Sequence, residues 1–249
     1  ASDIPGCAAN IDRRSHVGGN AFDSPDATGV LLHRYGPHYF RTDDENVVAY
    51  LSQFTDWRPV TYKVLAWTDG RYYSFPINLT TFEQFIGRPS TEFEFAAWLA
   101  ARRVDIKRPL NSEEVIVSQV GFELYEKFFE RYTIKQWGRH PRELDASVCG
   151  RIPVRTTRDD RYFGQAFQSM PVAGYTAMFQ RMLTASRRIK VMLEADFRKV
   201  ANDVQFGHLV YSGAIDEYYD CSEGALEYRS LRFEHVPIDR EYVQPGMQV

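Results

Sequence analysis

Residues 7–23 carry the feature that most restricts what this chain can fold into. A short apolar run, CAANID, is followed by RR and then, three residues on, by the glycine pair of HVGGN. An acid at the end of a strand accepts hydrogen bonds from ribose hydroxyls, and adjacent glycines let backbone N–H groups approach a pyrophosphate. The pattern is the second half of an α/β dinucleotide-binding unit. Its first half, a Gly-rich turn about 20 residues upstream, has no counterpart in ASDIPGCAAN. Asp12, Arg14, Gly18 and Gly19 are therefore candidate cofactor contacts, although the same letters equally suit a plain surface turn.

The chain has 249 residues, enough to bury a substantial core. Its formal net charge of −3 argues against nucleic-acid binding, which rests on a basic excess. Cys7, Cys149 and Cys221 lie far apart, which excludes a closed disulfide framework or a Cys-rich zinc site and points to a reducing, cytoplasmic compartment. No apolar stretch is long enough to span a membrane, and no signal pattern opens the chain. Walker and G-x-S-x-G motifs are absent, and His33 and His38 have no acidic partner at metal-ligand spacing, so no metal is expected. Aromatic residues reach 14%, which mostly reads as core filling and leaves some rings for stacking.

Local signals place the elements. Asp43-Asp44-Glu45 opens a helix with Val47, Val48, Leu51 and Phe54 as its apolar positions. VTYKVLAW and RYYSFPIN flank Thr68-Asp69-Gly70 as a hairpin, and a short helix from Thr80 closes at Gly87. Thr91 and Glu94 predict a capping box for a helix through Ala101; residues 112–132 read as helix with a break at Gly121. A short helix follows Pro141, and Gly174 to Ala185 is amphipathic. RIKVMLEADF, HLVYSG and LEYRSLRFEHVPI read as strands, giving a sheet-rich end.

Three further segments suggest chemistry. HRYGPHYFRT (33–42) sets histidines beside a Gly-Pro loop, where His38 serves a planar ring or merely a turn. In YTIKQWG (132–138), Tyr132 and Trp137 offer a wall for a planar base or a helix end packed on the core. Arg151, Arg155, Arg158 and Arg161, with Tyr162, suit a diphosphate, which guanidinium groups grip through paired N–H donors. Asp159 and Asp160 equally suit a self-paired surface loop.

Taken in order, HVGGN, H-x-YG-x-H-x-F, YT-x-KQWG and R-x-P-x-R with RYF and GYT resemble the UDP-galactopyranose mutase family. FPINL, SQVGFELYEKFF, ELDAS and YSGAID-x-YYD extend the resemblance from about Asp12 to the last residues. It implies a mixed α/β (α+β) flavoprotein: a partial Rossmann-like FAD domain (1–58), a sheet domain (59–78 and 149–186), a helical-bundle insertion that binds substrate (79–148), and strands returning to both (187–249). The implied reaction interconverts UDP-galactopyranose and UDP-galactofuranose through an adduct between reduced FAD and the sugar, without net redox change.

Carried over by position, Asp12, Arg14, Gly18, Gly19 and Asn20 serve FAD, with Tyr35, Gly36 and His38 along the flavin. Phe128, Tyr132, Thr133 and Trp137 cradle uridine and sugar, with Tyr132 stacking on the base. Arg151 closes over the diphosphate, with Tyr162 contacting it; Arg151 and His38 are the expected catalytic groups. A homodimer is the implied assembly. The chain departs from the family in lacking the Gly-rich turn and the C-terminal diphosphate arginine, and in placing Arg41 where the family has a second histidine. It is therefore expected to be either part of a complete mutase or a degenerate, non-catalytic UDP-sugar binder. An amine-oxidase-like flavin enzyme shares only the acid-to-glycine segment.

Overall fold

The computed structural model describes residues 6–249. It is a mixed α/β chain with small sheets, divided into two compact units. One comprises Ala1–Val60 and Gln165–Val236, the other Thr61–Gly164 and Pro237–Val249.

The first unit opens with β1 (Ala8–Ile11), the expected strand before Asp12. β2 (Asp23–Pro25) and β3 (Leu31–His33) pair antiparallel, and β4 (Phe40–Thr42) leads into α1 (Glu45–Leu51). Asp44 caps α1 by accepting from the Asn46 and Val47 amides, so two orphan donors of the first turn are satisfied. Phe54 lies beyond the helix end. β5 (Trp57–Pro59) completes this part of the unit.

In the second unit, β6 (Val64–Thr68) and β7 (Arg71–Phe75) form the expected hairpin. Asp69 and Gly70 both have positive φ, 50° and 73°, the conformation a two-residue hairpin loop needs. Asn78 then caps α2 (Leu79–Ile86) in a full box with Thr81, and Gly87 ends it at φ 75°. Thr91 caps α3 (Glu92–Arg102), but the expected box is only half made. The Glu94 carboxylate turns instead to Arg88 and to the Ser90 hydroxyl (2.6 Å).

α4 (Ser112–Tyr125) breaks at Gly121 as expected, with φ 76° and ψ 176°. A Cβ there would stand 2.6 Å from the Arg102 carbonyl oxygen, so close approach of two backbones excludes any larger residue. A π-helical turn, Glu126–Glu130, joins α4 to α5 (Arg131–Trp137), and α6 (Ala146–Gly150) follows. The core is one cluster, with Phe82 and Phe95 stacked at 4.4 Å and Tyr73 edge-on to Phe128 at 5.2 Å. The hairpin packs on helices here, so the expected split between a sheet domain and a helical domain is not drawn between residues 61 and 150.

The chain returns to the first unit with β8 (Phe167–Pro171), which sits between β4 and β5 in an antiparallel sheet. α7 (Tyr175–Thr184) buries Tyr175 and Met178. β9 (Ile189–Met192) pairs parallel with β1, Ala8 opposite Ile189. α8 (Phe197–Val200) and α9 (Ile215–Tyr218) are single turns.

The expected sheet-rich end is corrected. Of RIKVMLEADF only Ile189–Met192 is strand, ended before Glu194, whose φ is 55°. HLVYSG and LEYRSLRFEHVPI form none. Strand-favouring letters need a neighbouring ladder, and these lie largely exposed, Val210 at 93% and Tyr228 at 82%. Among the described residues no helix is long and apolar enough to cross a membrane.

Candidate functional site

Asp12 stands where β1 stops. Its amide donates to the Met192 carbonyl (2.9 Å), and its Oδ1 accepts from the Arg14 amide (2.9 Å). The Arg14 guanidinium donates to Asn20 Oδ1 (2.7 Å) and lies 4.7 Å from the centre of the Tyr35 ring. Tyr35 Oη is 2.9 Å from Nε2 of His16, whose ring stacks on Phe22 at 3.7 Å. Gly18 and Gly19, both left-handed, turn the chain between these groups. Beside Gly19 there is open space, with nothing within 4 Å of a Cβ.

One atom in this cluster is unsatisfied. Arg14 Nη1 is buried with no hydrogen-bond partner. A buried cationic donor left unpaired is costly, and an anionic oxygen relieves the cost. The residues therefore fit a phosphate-bearing ligand. Sequence reasoning missed His16, which sits inside the HVGGN segment but binds Tyr35 across a span no local pattern reveals.

Gly36 and His38 belong to the loop after β3. The His38 amide donates to His33 Nδ1 (2.9 Å), and His38 Nδ1 donates to the Gly36 carbonyl (2.9 Å), leaving Nε2 for other work. Burial pushes the His33 pKa down, with Asp23 pulling the other way and His38 adding to the fall. A hollow of about 470 Å³ opens here between Leu31, His33, Gly36, Tyr39, Met170 and Phe233. Opposite His33 in the β2–β3 pair stands Asp23, another residue the sequence did not single out. Its buried carboxylate accepts from the Tyr175 and Thr176 amides (2.7 and 2.9 Å), capping α7 from β2. Gly174 makes room for it: a Cβ there would meet Asp23 Oδ2 at 2.7 Å.

The second unit carries the other candidates. Tyr132 is half-exposed on α5. Partial burial raises its phenol pKa, Tyr162 adds to the rise and the Arg151 charge opposes it. These three side chains, from α5 and from the segment after α6, thus share one neighbourhood. Phe128 is instead packed in the core against Tyr73, and Thr133 is buried with its hydroxyl 3.6 Å from Cys149 Sγ. Trp137 follows Tyr132 by five residues, about 140° around a helix, so α5 does not present the two rings on one face. Trp137 shares the face of Thr133.

The arginine series divides. Arg158 makes a fork to Glu83 (2.6 and 2.7 Å), and Arg155 and Arg161 turn to Asp159. Arg151, at the end of α6, makes no side-chain ion pair among the described residues and is exposed. The self-paired reading of this stretch thus holds for Arg155 and Arg161, while Arg158 pairs outside it.

A family model described as UDP-galactopyranose mutase matches residues 127–249, and one described as an NAD(P)-binding Rossmann-like domain matches residues 9–54. The chain is 40% identical over 234 residues to a probable UDP-galactopyranose mutase of Klebsiella pneumoniae, covering 93% of this chain and 60% of that protein. It is 39% identical over 230 residues to a dTDP-fucopyranose mutase of Escherichia coli, covering 90% and 61%. It thus spans about three fifths of these relatives. A solved structure titled as reduced UDP-galactopyranose mutase shares the fold at a TM-score of 0.55, with 17% identity, over 73% of this chain and 42% of that one.

Proposed function

This chain belongs to the UDP-galactopyranose mutase family, and on that premise we propose that it carries the nucleotide-sugar site and part of the FAD site of a mutase. The reaction is the interconversion of UDP-galactopyranose and UDP-galactofuranose. The observation that carries the reading is the shared neighbourhood of Tyr132, Tyr162 and Arg151, one ring for the base and one uncommitted cation for the diphosphate.

Each group has a task. Tyr132 stacks on uracil, its half-exposed ring offering the face for it. Arg151 grips the diphosphate through paired donors and stabilises the negative charge that grows as the nucleotide departs, where electrostatic catalysis is most effective. Tyr162 donates to the same phosphates. Thr133 and Phe128 act from within the core by fixing the helix that bears Tyr132, and Trp137 lines the sugar side.

In the first unit, Arg14 Nη1 would meet a phosphate of FAD, Asp12 and Asn20 would hold ribose hydroxyls, and Gly18 and Gly19 would admit the backbone to the pyrophosphate. Tyr35, Gly36 and His38 would line the flavin edge, with His38 Nε2 available to hydrogen-bond there. Reduced FAD, when bound, supplies the nucleophilic nitrogen that the exchange of sugar ring forms requires. The near-equal likeness to the dTDP-fucopyranose mutase supports a second reading with the same chemistry and a deoxythymidine nucleotide.

Calorimetric titration with UDP and with dTDP tests both. UDP binding that falls by about 1.5–3 kcal/mol in Arg151→Ala, the worth of a charged hydrogen bond, is the expected result. Tighter binding of dTDP selects the second reading, and heat from neither nucleotide sinks the assignment.

A further inference from the structure

The arginine segment holds more guanidinium groups than the proposed diphosphate site uses, and two of the surplus, Arg155 and Arg161, share one partner. Asp159 receives Arg161 as a fork, Nε to Oδ1 at 2.8 Å and Nη2 to Oδ2 at 2.9 Å, with Arg155 Nε 3.6 Å from Oδ2. This fork holds the Asp159 carboxyl well below the usual carboxylate range. The backbone next to Tyr162 is bound from the same cluster. The Arg161 amide donates to Asp159 Oδ1 (3.2 Å), and the Arg161 carbonyl accepts from Arg155 Nη1 (2.7 Å). The Tyr162 amide donates to the carbonyl of buried Tyr62 (3.2 Å), and the Tyr162 ring packs edge-on to Tyr62 at 5.7 Å.

Both sides of the Arg161–Tyr162 peptide are therefore fixed, and the cluster is itself anchored. The Arg155 amide donates to the Ile77 carbonyl and the Leu79 amide to the Thr157 carbonyl, each at 2.9 Å, at the capped start of α2. An exposed ion pair contributes little to stability alone. Here the pairs instead choose one backbone geometry for Tyr162, a residue of the proposed diphosphate site.

We propose that Asp159, through Arg155 and Arg161, is a positioning residue that orients Tyr162 toward the diphosphate, so that Arg151 alone of this series meets the ligand. This rests on the reading of the second unit as a nucleotide-diphosphate site. A side chain held in its binding geometry beforehand loses less entropy on association. Removing Asp159 forfeits that advantage without touching the ligand.

The test is a double-mutant cycle read by UDP calorimetry on wild type, Asp159→Asn, Tyr162→Phe and the pair, with thermal melts of each unliganded protein. Tyr162→Phe is expected to weaken UDP binding roughly five- to tenfold, the worth of one neutral hydrogen bond. Asp159→Asn is expected to weaken it several-fold in wild type and not at all in the Tyr162→Phe background. A general loosening of the loop would instead weaken binding equally in both backgrounds. Multiplying losses, or unchanged or tighter binding in Asp159→Asn, overturn the inference while leaving the site intact. A wild-type chain that binds no nucleotide removes the site and the inference together.

Discussion

The unit formed by residues 61–164 and the unit containing β1 to β5 stand on different supports. In the former, one cluster of buried apolar side chains runs from Tyr73 to Cys149. In the latter, the buried apolar side chains among the described residues are chiefly Tyr175 and Met178, and the buried carboxylate of Asp23 joins β2 to α7. The parallel pair β1–β9 is largely exposed, although parallel strands are ordinarily covered on both faces. The helical unit thus draws its stability from packing its own residues. The other leans on hydrogen bonds and caps, and has more to gain from a bound ligand.

Three measurements sharpen or break that contrast. The largest effect is expected of Phe82→Ala, which removes a ring stacked on Phe95 in the core and should cost about 3–5 kcal/mol. Denaturant unfolding followed separately for each unit by engineered probes checks it. Equal loss in both units would show that they share one cooperative core. Asp23→Ala comes next. It leaves two α7 amides without acceptors and should cost about 2–4 kcal/mol, with hydrogen exchange rising in α7 and not in α2 or α4.

The smallest effect is the response to pH. Arg88 and the Ser90 hydroxyl hold the Glu94 carboxyl at about 2, against an ordinary 4.5. Because the folded value is depressed, that contribution is present above pH 4.5 and is lost as the pH falls toward 2. Burial pushes the Tyr175 phenol up to about 12 from 10.0. Its contribution is complete below pH 10 and is lost as the pH rises through 12. Acid should therefore weaken the helical unit through Glu94, and alkali the other unit through Tyr175. Glu94→Gln should blunt only the acid step and Tyr175→Phe only the alkaline one; the converse pattern would refute the assignment.

The family itself was legible because its segments keep their order along the chain, from HVGGN to the GYT that opens α7. The proposed site was legible in part. Tyr132, Arg151 and Tyr162 could be named from motifs, but which arginine remains available could not. Arg158 is taken by Glu83, 75 residues away, and no spacing rule links them. Trp137 beside Tyr132 read as one wall because both are aromatic; the turn of α5 sets them on different faces.

What the sequence determined by itself is local. The Asp69-Gly70 hairpin, the caps at Asp44, Asn78 and Thr91, and the interruption at Gly121 follow from φ, ψ and hydrogen bonds formed within a few residues. Only the tertiary structure decided that β1 pairs with β9, that Asp23 caps a helix 152 residues on, and that the strand-like letters after residue 204 form no strand. A donor or a strand edge is satisfied by whichever partner the folded chain brings beside it. That partner is a property of the path through space rather than of the neighbouring letters.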